Sequence, residues 1–561
     1  YWAGWGGHAI LDYAALLATG TEGIRERIRL AETRDSTPEQ QAFRQALGVV
    51  CAGIDGFAVT YAQAARQLAL ETTDAHRRAE LEACSRRCLH VPRYGARTFP
   101  EALQSMWFVH VLDGCDSPGR LDQFAWPYLE ADLRAGVLSE SEAQGWVDHL
   151  WERFEEHRSW NVCVGGVRAD GSDAANPLTF LALDAMRRSG NRAPNLSLRL
   201  HRQSSPELWR AGLASIATGC GMPALYNDEV IIPSLMSLGI PAPDARDYAM
   251  NGCSQIDIPG QSHMGLEDGE INLLKCLELA LHDGVDPRTG TQIGPHTGQA
   301  CSFDTYAQVL TAYKAQVEHF VQRLVAAANA VQKAHAETSP NLLRSLLTSD
   351  CIDRGVDFKA GGPRYNHGQI LTQGIANTAD SLAVIKTLVV DAGSVTWDEL
   401  LNNLARDFPD EAFRQQLRSR APAFGNGDDT VDGIASDIVG HLFRCLGRHR
   451  TWRGGIYGGG AIVFTRGIEF GRQVGATPDG RRSGTPLADS VGPSAGRDVH
   501  GPTAMLQSVS RVPQELARSA YVLNVKCGRR AFSESAPAVL SLLQTYFALG
   551  GQQLQVNAVD A

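Results

Sequence analysis

An α/β architecture, closed on itself, is predicted for this chain of 561 residues by three observations. Short strand patterns alternate with long helical ones. No Ser/Pro/Gly tract or charge run is long enough to separate domains, and few of the strand patterns read as polar edges. With 43% hydrophobic and 20% charged residues there is ample material for a large core. One large domain wrapped by helices is therefore expected, not the three or four that length alone suggests.

The elements follow in order. A Gly/His/Asp lead-in from Gly7 gives way to an apolar helical pattern ending near Arg25-Glu26-Arg27. Ser36-Thr37-Pro38-Glu39 supplies helix-start signals, and helices run from Thr37 to Arg87. Cys84 and Cys88 stand i,i+4 on one of them with His90 close behind; without a further ligand nearby, packing is expected over a metal site. Glu101 to Leu112 is a helix with a buried face, ending in the polar turn Asp113 to Arg120. Asn195 to Leu200 alternates strictly and reads as a half-buried strand. Ser205-Pro206-Glu207 opens a helix that Gly219 closes. The clearest helix runs from Tyr306 to about Lys333, where Val309, Leu310, Tyr313, Val317, Phe320, Val321, Leu324 and Ala328 keep three/four spacing. Short strands are expected at Ala461 to Phe464, Tyr521 to Lys526 and Gln553 to Val559. Gly475 to Thr503, dense in Gly, Pro, Asp and Arg, reads as a long surface loop, of a length that is usually functional or disordered.

Net charge is −10, pI is near 5.9, and only six residues are lysine, so no basic patch speaks for nucleic acid or a membrane surface. No apolar run of about 18 residues is apparent, and no spanning helix is expected. Twelve cysteines without a paired framework read as reduced thiols of a cytoplasmic protein. The chain opens on Tyr1 and stops within what reads as a strand entering a turn, so it is expected to be cut at both ends.

One cysteine differs from the others. Ala249-Met250-Asn251-Gly252-Cys253-Ser254-Gln255-Ile256-Asp257-Ile258-Pro259-Gly260 sets a thiol after a glycine, before polar side chains, between helix breakers. Such a backbone displays a side chain, although a free cysteine is more often a small buried hydrophobe. No lysine, arginine or histidine lies within several residues to stabilise a thiolate, which suits hydrogen-atom transfer from a neutral S–H and not nucleophilic attack.

Asn251-Gly252-Cys253, preceded by Ala224-Leu225-Tyr226-Asn227-Asp228-Glu229 and Asp244-Ala245-Arg246-Asp247-Tyr248, resembles the cysteine loop of the glycyl radical enzymes, the pyruvate formate-lyase-like family. Gly475-Ala476-Thr477-Pro478-Asp479-Gly480-Arg481, with Pro486-Leu487-Ala488-Asp489 and Gly501-Pro502-Thr503-Ala504, resembles the family's second signature. Arg120-Leu121-Asp122-Gln123, Tyr365-Asn366, Asp380-Ser381-Leu382 and Leu554-Gln555-Val556-Asn557 are similar to further family segments, in family order across nearly the whole chain. The resemblance is closer to the diol dehydratase and lyase branch than to pyruvate formate-lyase itself, whose two adjacent cysteines are absent.

The resemblance implies that residues 1–561 form a ten-stranded β/α barrel of two five-stranded half-barrels inside a helical shell. It implies a thiyl radical on Cys253, anaerobic chemistry, a small-molecule substrate, a homodimer, and no bound cofactor or metal. A separate S-adenosylmethionine-dependent radical activase would install the glycyl radical. The family's radical glycine lies in an Arg-Val-x-Gly-Tyr segment, and none occurs before Ala561. The radical glycine is therefore expected outside this sequence, on a separate small protein, or missing from a silent barrel.

Members that eliminate water or an amine carry Cys-x-Glu, whereas position 255 here is glutamine. An amide takes no proton at neutral pH but can orient a hydroxyl or carboxylate. Glu267, fourteen residues after the thiol, matches a position where diol dehydratases hold substrate hydroxyls with an aspartate. Asp257 lies two residues beyond Gln255, on the same side if the loop is extended. His8 and Ser117 are similar to the family's substrate-binding histidine and serine, though either could be a structural turn residue. The leading expectation is a lyase cleaving a C–X bond of a small polar substrate with Cys253, Gln255, Glu267 and Asp257. The alternatives are a radical C–C lyase, decarboxylase or alkene-acid addition enzyme, and a silent or split barrel.

Overall fold

The computed structural model describes residues 1–5, 7–265, 267–462 and 465–560. Two sheets face each other. The first runs in the order Trp2–Trp5, Glu267–Asn272, Gly368–Gln373, Tyr457–Ala461 and Ala517–Tyr521; its first pair is antiparallel and the rest parallel. The second runs Gly119–Arg120, Asn161–Gly165, Asn195–Leu200 and Ala224–Asn227 in parallel, followed by Gln553–Val559 and Asn524–Gly528. These are the two half-barrels that the resemblance implies, the second one strand wider because Asn524–Gly528 pairs onto Gln553–Val559.

The chain joins the sheets directly. After Ala517–Tyr521, Val522 still donates its N–H to Ala461 of the first sheet (3.0 Å), while the next residue, Leu523, accepts from Gln555 of the second (2.8 Å). The continuous strand expected at Tyr521 to Lys526 is therefore two strands, one in each sheet. The strand expected at Ala461 to Phe464 lies earlier, at Tyr457–Ala461, and Val463 and Phe464 fall outside the described residues. Tyr457-Gly458-Gly459-Gly460-Ala461 hides its strand character because its glycines answer to packing: a Cβ on Gly459 would collide with the Phe443 ring. Gln553–Val559 and Asn195–Leu200 lie where their patterns place them, but Asn195–Leu200, expected half-buried, is buried on both faces from Leu196 onward, its polar Ser197 and Arg199 being bonded inside the protein.

Helices enclose the sheets. Tyr306–Thr338 starts in a capping box between Thr305 and Gln308 and buries Val309, Tyr313, Val317, Phe320, Val321, Leu324 and Ala328. Pro38–Glu71 is long and apolar enough to cross a membrane by length and composition alone, which corrects the expectation that no such segment exists. Its hydropathy comes from Leu47, Val49, Val50, Cys51, Ile54, Phe57 and Val59, spaced among small and polar residues and not joined in one continuous run. The helix buries Leu47, Cys51, Ile54, Ala58 and Ala62 toward the protein, packing against Tyr13–Glu32 and Ala75–His90.

The segment from Gly475 to Thr503 is pinned, not a free surface loop. Asn377 donates to Asp479 (2.8 Å) and accepts from the Ala488 N–H (2.7 Å), and Arg481 bonds the carbonyls of Gly471, Gly475 and Thr485. Cys84 and Cys88 belong to a small apolar cluster with Ala58, Ala62 and Phe108, while His90 bonds the Gly95 carbonyl instead.

Candidate active site

Between the sheets lies an antiparallel hairpin, Ala249–Asn251 paired with Gln255–Asp257, whose turn is Gly252-Cys253-Ser254. The turn is built for close approach. Gly252 has φ +52°, and a Cβ there would collide with the His8 imidazole, so only glycine brings the turn against that ring. The Cys253 carbonyl accepts from Asn161 Nδ2 (3.2 Å) and Ser254 Oγ (2.6 Å). The Gly252 N–H donates to Ser117 Oγ (2.9 Å), which donates to Asp116 (3.2 Å). From the first sheet, Gln369 Nε2 donates to the Ile256 carbonyl (3.1 Å), so both half-barrels grip the hairpin.

Asp116 is the hub beneath the turn. It accepts from the Ala9 N–H (3.0 Å) and from Arg344 (2.8 Å), and its other oxygen sits 2.8 Å from His8 Nδ1. Burial opposes ionisation of Asp116, but the His8 hydrogen bond and charge, with Arg344, hold its carboxyl below the usual range. An ionised carboxylate only accepts, so Nδ1 carries a proton and Nε2 is the nitrogen turned to the Gly252 side. The Trp160 ring meets His8 edge-on at 4.8 Å.

On the other flank, buried Gln255 donates Nε2 to Glu267 Oε1 (3.2 Å). Burial raises the Glu267 carboxyl above its ordinary value, with Arg466 and His8 opposing. Nearby Glu270 is paired with Arg466 (2.9 Å) and is pushed up to about 7, by burial first and then by Glu267, against Arg466. The Cys253 thiol is pushed up to about 12, by burial first and then by the Glu267 carboxylate. At neutral pH the sulfur therefore carries its hydrogen.

His8, Ser117, Cys253, Gln255 and Glu267 thus come together from four separate stretches of chain. Asp257 does not join them: its oxygens accept from Ser262 and Asn251 (2.9 Å), where it braces the base of the hairpin. Asp116, Arg344, Asn161 and Arg466 escape sequence reasoning. Asp116 is flagged only by its neighbour Ser117, and Arg344 by nothing local. A cavity of about 180 Å³ reaches Cys253 between the sheets, lined by Asn161, Ser197, Ser490, Asn524 and Gln555 but by none of His8, Ser117, Gln255 or Glu267. Among the described residues no group of three or more His, Cys, Asp or Glu side chains is placed to hold a metal.

Two half-barrels around a hairpin whose thiol keeps its hydrogen suit hydrogen-atom transfer better than nucleophilic attack. Comparison with known proteins agrees. The pyruvate formate lyase-like family model matches residues 1–471 and the glycine radical model residues 487–561. The chain belongs to the pyruvate formate lyase-like family and is a glycyl radical enzyme of its dehydratase and lyase branch. It is 32% identical to isethionate sulfite-lyase of Nitratidesulfovibrio vulgaris over 98% of this chain and 71% of that protein. It is 30% identical to trans-4-hydroxy-L-proline dehydratase of Clostridioides difficile, over 93% and 69%. The glycerol-bound B12-independent glycerol dehydratase from Clostridium butyricum superposes with a TM-score of 0.94 at 33% identity, covering 99% of this chain and 74% of that one. A glycine radical domain implies a radical installed by a separate activating enzyme.

Proposed function

We propose that this chain is a lyase that cleaves a C–X bond of a small polar substrate through a thiyl radical on Cys253. The observation that carries the reading is the thiol itself: half-buried where a cavity reaches it, kept protonated, and answering to one carboxylate, Glu267, which the Gln255 amide holds in place. The glycine radical supplies the unpaired electron that Cys253 receives. Cys253 then takes a hydrogen atom from a substrate carbon, the neighbouring group leaves, and the product radical recovers the hydrogen from Cys253.

Glu267 moves the proton that the leaving group requires. Its raised pKa lets it carry that proton nearer neutrality than an exposed carboxylate would. Gln255 orients it, and His8, locked by Asp116, supplies the second polar contact to substrate hydroxyls. Ser117 spends its hydrogen on Asp116 and serves by holding the turn and offering a lone pair, and Asp257 keeps the hairpin in shape. Relatives acting on isethionate, hydroxyproline and glycerol support a small polar substrate. The glutamine at position 255 favours, as a second reading, radical C–C cleavage, which needs no base there.

We place the radical glycine outside these 561 residues, since no Arg-Val-x-Gly-Tyr occurs among them, and read the carboxamide-lined cavity at Cys253 as its way in. The working protein on this reading is a cytoplasmic homodimer that meets its activase transiently. The test is anaerobic electron paramagnetic resonance of the complete natural chain with its activase, S-adenosylmethionine and a reductant. A glycine doublet, with turnover lost in Cys253→Ala, is the expected result. A doublet from residues 1–561 alone would overturn the placement of the glycine. Turnover surviving Cys253→Ala would overturn the mechanism.

A further inference from the structure

Pro38–Glu71 turns Leu47, Cys51, Ile54, Ala58 and Ala62 toward the protein, yet only 28% of its most apolar stretch is buried. Over the middle of such a helix the outward side should be polar, and here it is not. Val49 is 71% and Val59 39% exposed, and the exposed residues between them are only Ala52, Gly53 and Gly56. Asp55, the one charged residue between Arg44 and Arg66, is taken up by Thr21 (2.6 Å) and Arg25 (2.5 Å). A Cβ on Gly53 or Gly56 would meet nothing within this protein. No packing inside the chain asks for glycine at these two positions, where alanine makes a better helix.

The order of the residues says what covers the face. Gln45, Val49, Ala52, Gly56, Val59 and Gln63 are all exposed and follow one another at intervals of four and three, the seam that one helix presents to another. The seam reads alike from either end: glutamine, valine, small, small, valine, glutamine. That symmetry serves an isologous contact, in which one patch meets itself across a two-fold axis. With two such helices antiparallel and the axis at the level of Ile54, Val49 meets Val59 of the second copy, Ala52 meets Gly56, and Gln45 meets Gln63. One layer further out Ala42 meets Arg66, whose guanidinium comes within one turn of the opposite charge on Glu39. The small residues at the axis let the two backbones approach closely. A seam ~50 Å long and ~10 Å wide hides about 1,000 Å² over two copies, which reaches the size a specific interface needs.

We propose that two copies of this chain associate through Pro38–Glu71, laid antiparallel across a two-fold axis at the level of Ile54. The inference rests on the reading of the protein as a homodimer and says where the copies meet; the chemistry at Cys253 does not enter it. A lipid surface or an unlike protein would need the apolar face but not its palindrome.

The experiment measures the mass of the complete natural chain by sedimentation velocity, in the parent and in variants of the seam. The parent should sediment as two chains. Ala52→Glu sets two carboxylates near the axis at an exposed site where both residues are good helix formers. It should weaken the dimer by about tenfold or more while the melting of the isolated chain stays as it was. In Ala52→Cys the two new thiols lie ~6 Å apart along the axis, so a short bismaleimide should join two chains, as it does not in the parent with its native cysteines. Gln63→Cys, with ~27 Å between its thiols along the axis, should not be joined. A two-chain parent that survives Ala52→Glu, or an Ala52→Cys dimer that the reagent leaves unjoined, overturns this surface and leaves the homodimer standing. A parent of one chain overturns the homodimer and this inference together, and shielding of the Ala52→Cys thiol in that monomer would mean that the chain covers its own face.

Discussion

At the scale of single residues, the proposed chemistry turns on keeping hydrogen on sulfur, and Glu267 is the group whose charge the Cys253 thiol feels after burial itself. Glu267→Gln removes that charge, so the thiol pKa should fall from about 12. Alkylation of Cys253 by iodoacetamide near pH 9, followed peptide by peptide, should rise by up to roughly tenfold per pKa unit. Turnover in the same variant should fall by at least about a hundredfold, because the proton-transfer group is gone. An unchanged alkylation rate would place Glu267 outside the reach of the sulfur. The sequence flags Cys253 because turn formers are a local property, and Gln255 and Glu267 because the resemblance to the family assigns their positions. It also flagged Asp257, whose spacing is equally suggestive but whose oxygens go to Ser262 and Asn251.

At the scale of the element, the thiol hairpin is held by a buried carboxyl with an unusual proton affinity. Asp257 is pushed up to about 7 by burial first, with Asp116 adding to it, against the hydrogen bonds from Ser262, Ile258 and Asn251. In the unfolded chain an aspartate titrates near pH ~4. The folded state therefore binds this proton more tightly, and stability falls as pH rises from about 4 to about 7, by up to about 1.4 kcal/mol per pH unit from this group. Asp257→Asn, close in shape, should flatten that decline. Calorimetric melting temperatures at pH 5 and pH 7.5 should differ less in the variant than in the parent, and equal differences would show that the Asp257 proton does not count. Glu270 and Asp380, also raised to about 7 by burial, leave part of the slope in place.

At the scale of the whole molecule, Arg344 ties three distant parts of the chain under the site. Its guanidinium donates to Asp113 (2.8 Å), to Asp116 (2.8 Å) and to the Gly7 carbonyl (2.5 Å), all largely buried. Arg344→Leu leaves two buried carboxyls without their counter-charge, at a cost of about 3–5 kcal/mol. The melting temperature should fall by several degrees, and adding Asp113→Asn should recover part of the loss. Failure of that second change to help would mean that the Gly7 contact, not the ion pairs, carries the effect. Such a tie is invisible along the chain because its partners are 228 residues apart for Asp116 and 231 for Asp113.

The amino-acid sequence by itself determined the long helices, the strands at Asn195–Leu200 and Gln553–Val559, the thiol turn and the family to which its motifs belong. The helices, strands and turn rest on periodicity, capping or turn chemistry within a few residues, and the family on the resemblance of its motifs. Tertiary structure alone decided the rest. The inner strands Glu267–Asn272 and Tyr457–Ala461 carry charges and glycines where an apolar pattern would be sought, because their neighbours are the thiol hairpin and closely packed rings, not an oily core. Likewise the Asp116 hub and the Asn161 clamp exist only once two half-barrels close around one hairpin. Proton affinities and hydrogen-bond partners are properties of that enclosure, set by burial and by residues more than a hundred positions apart.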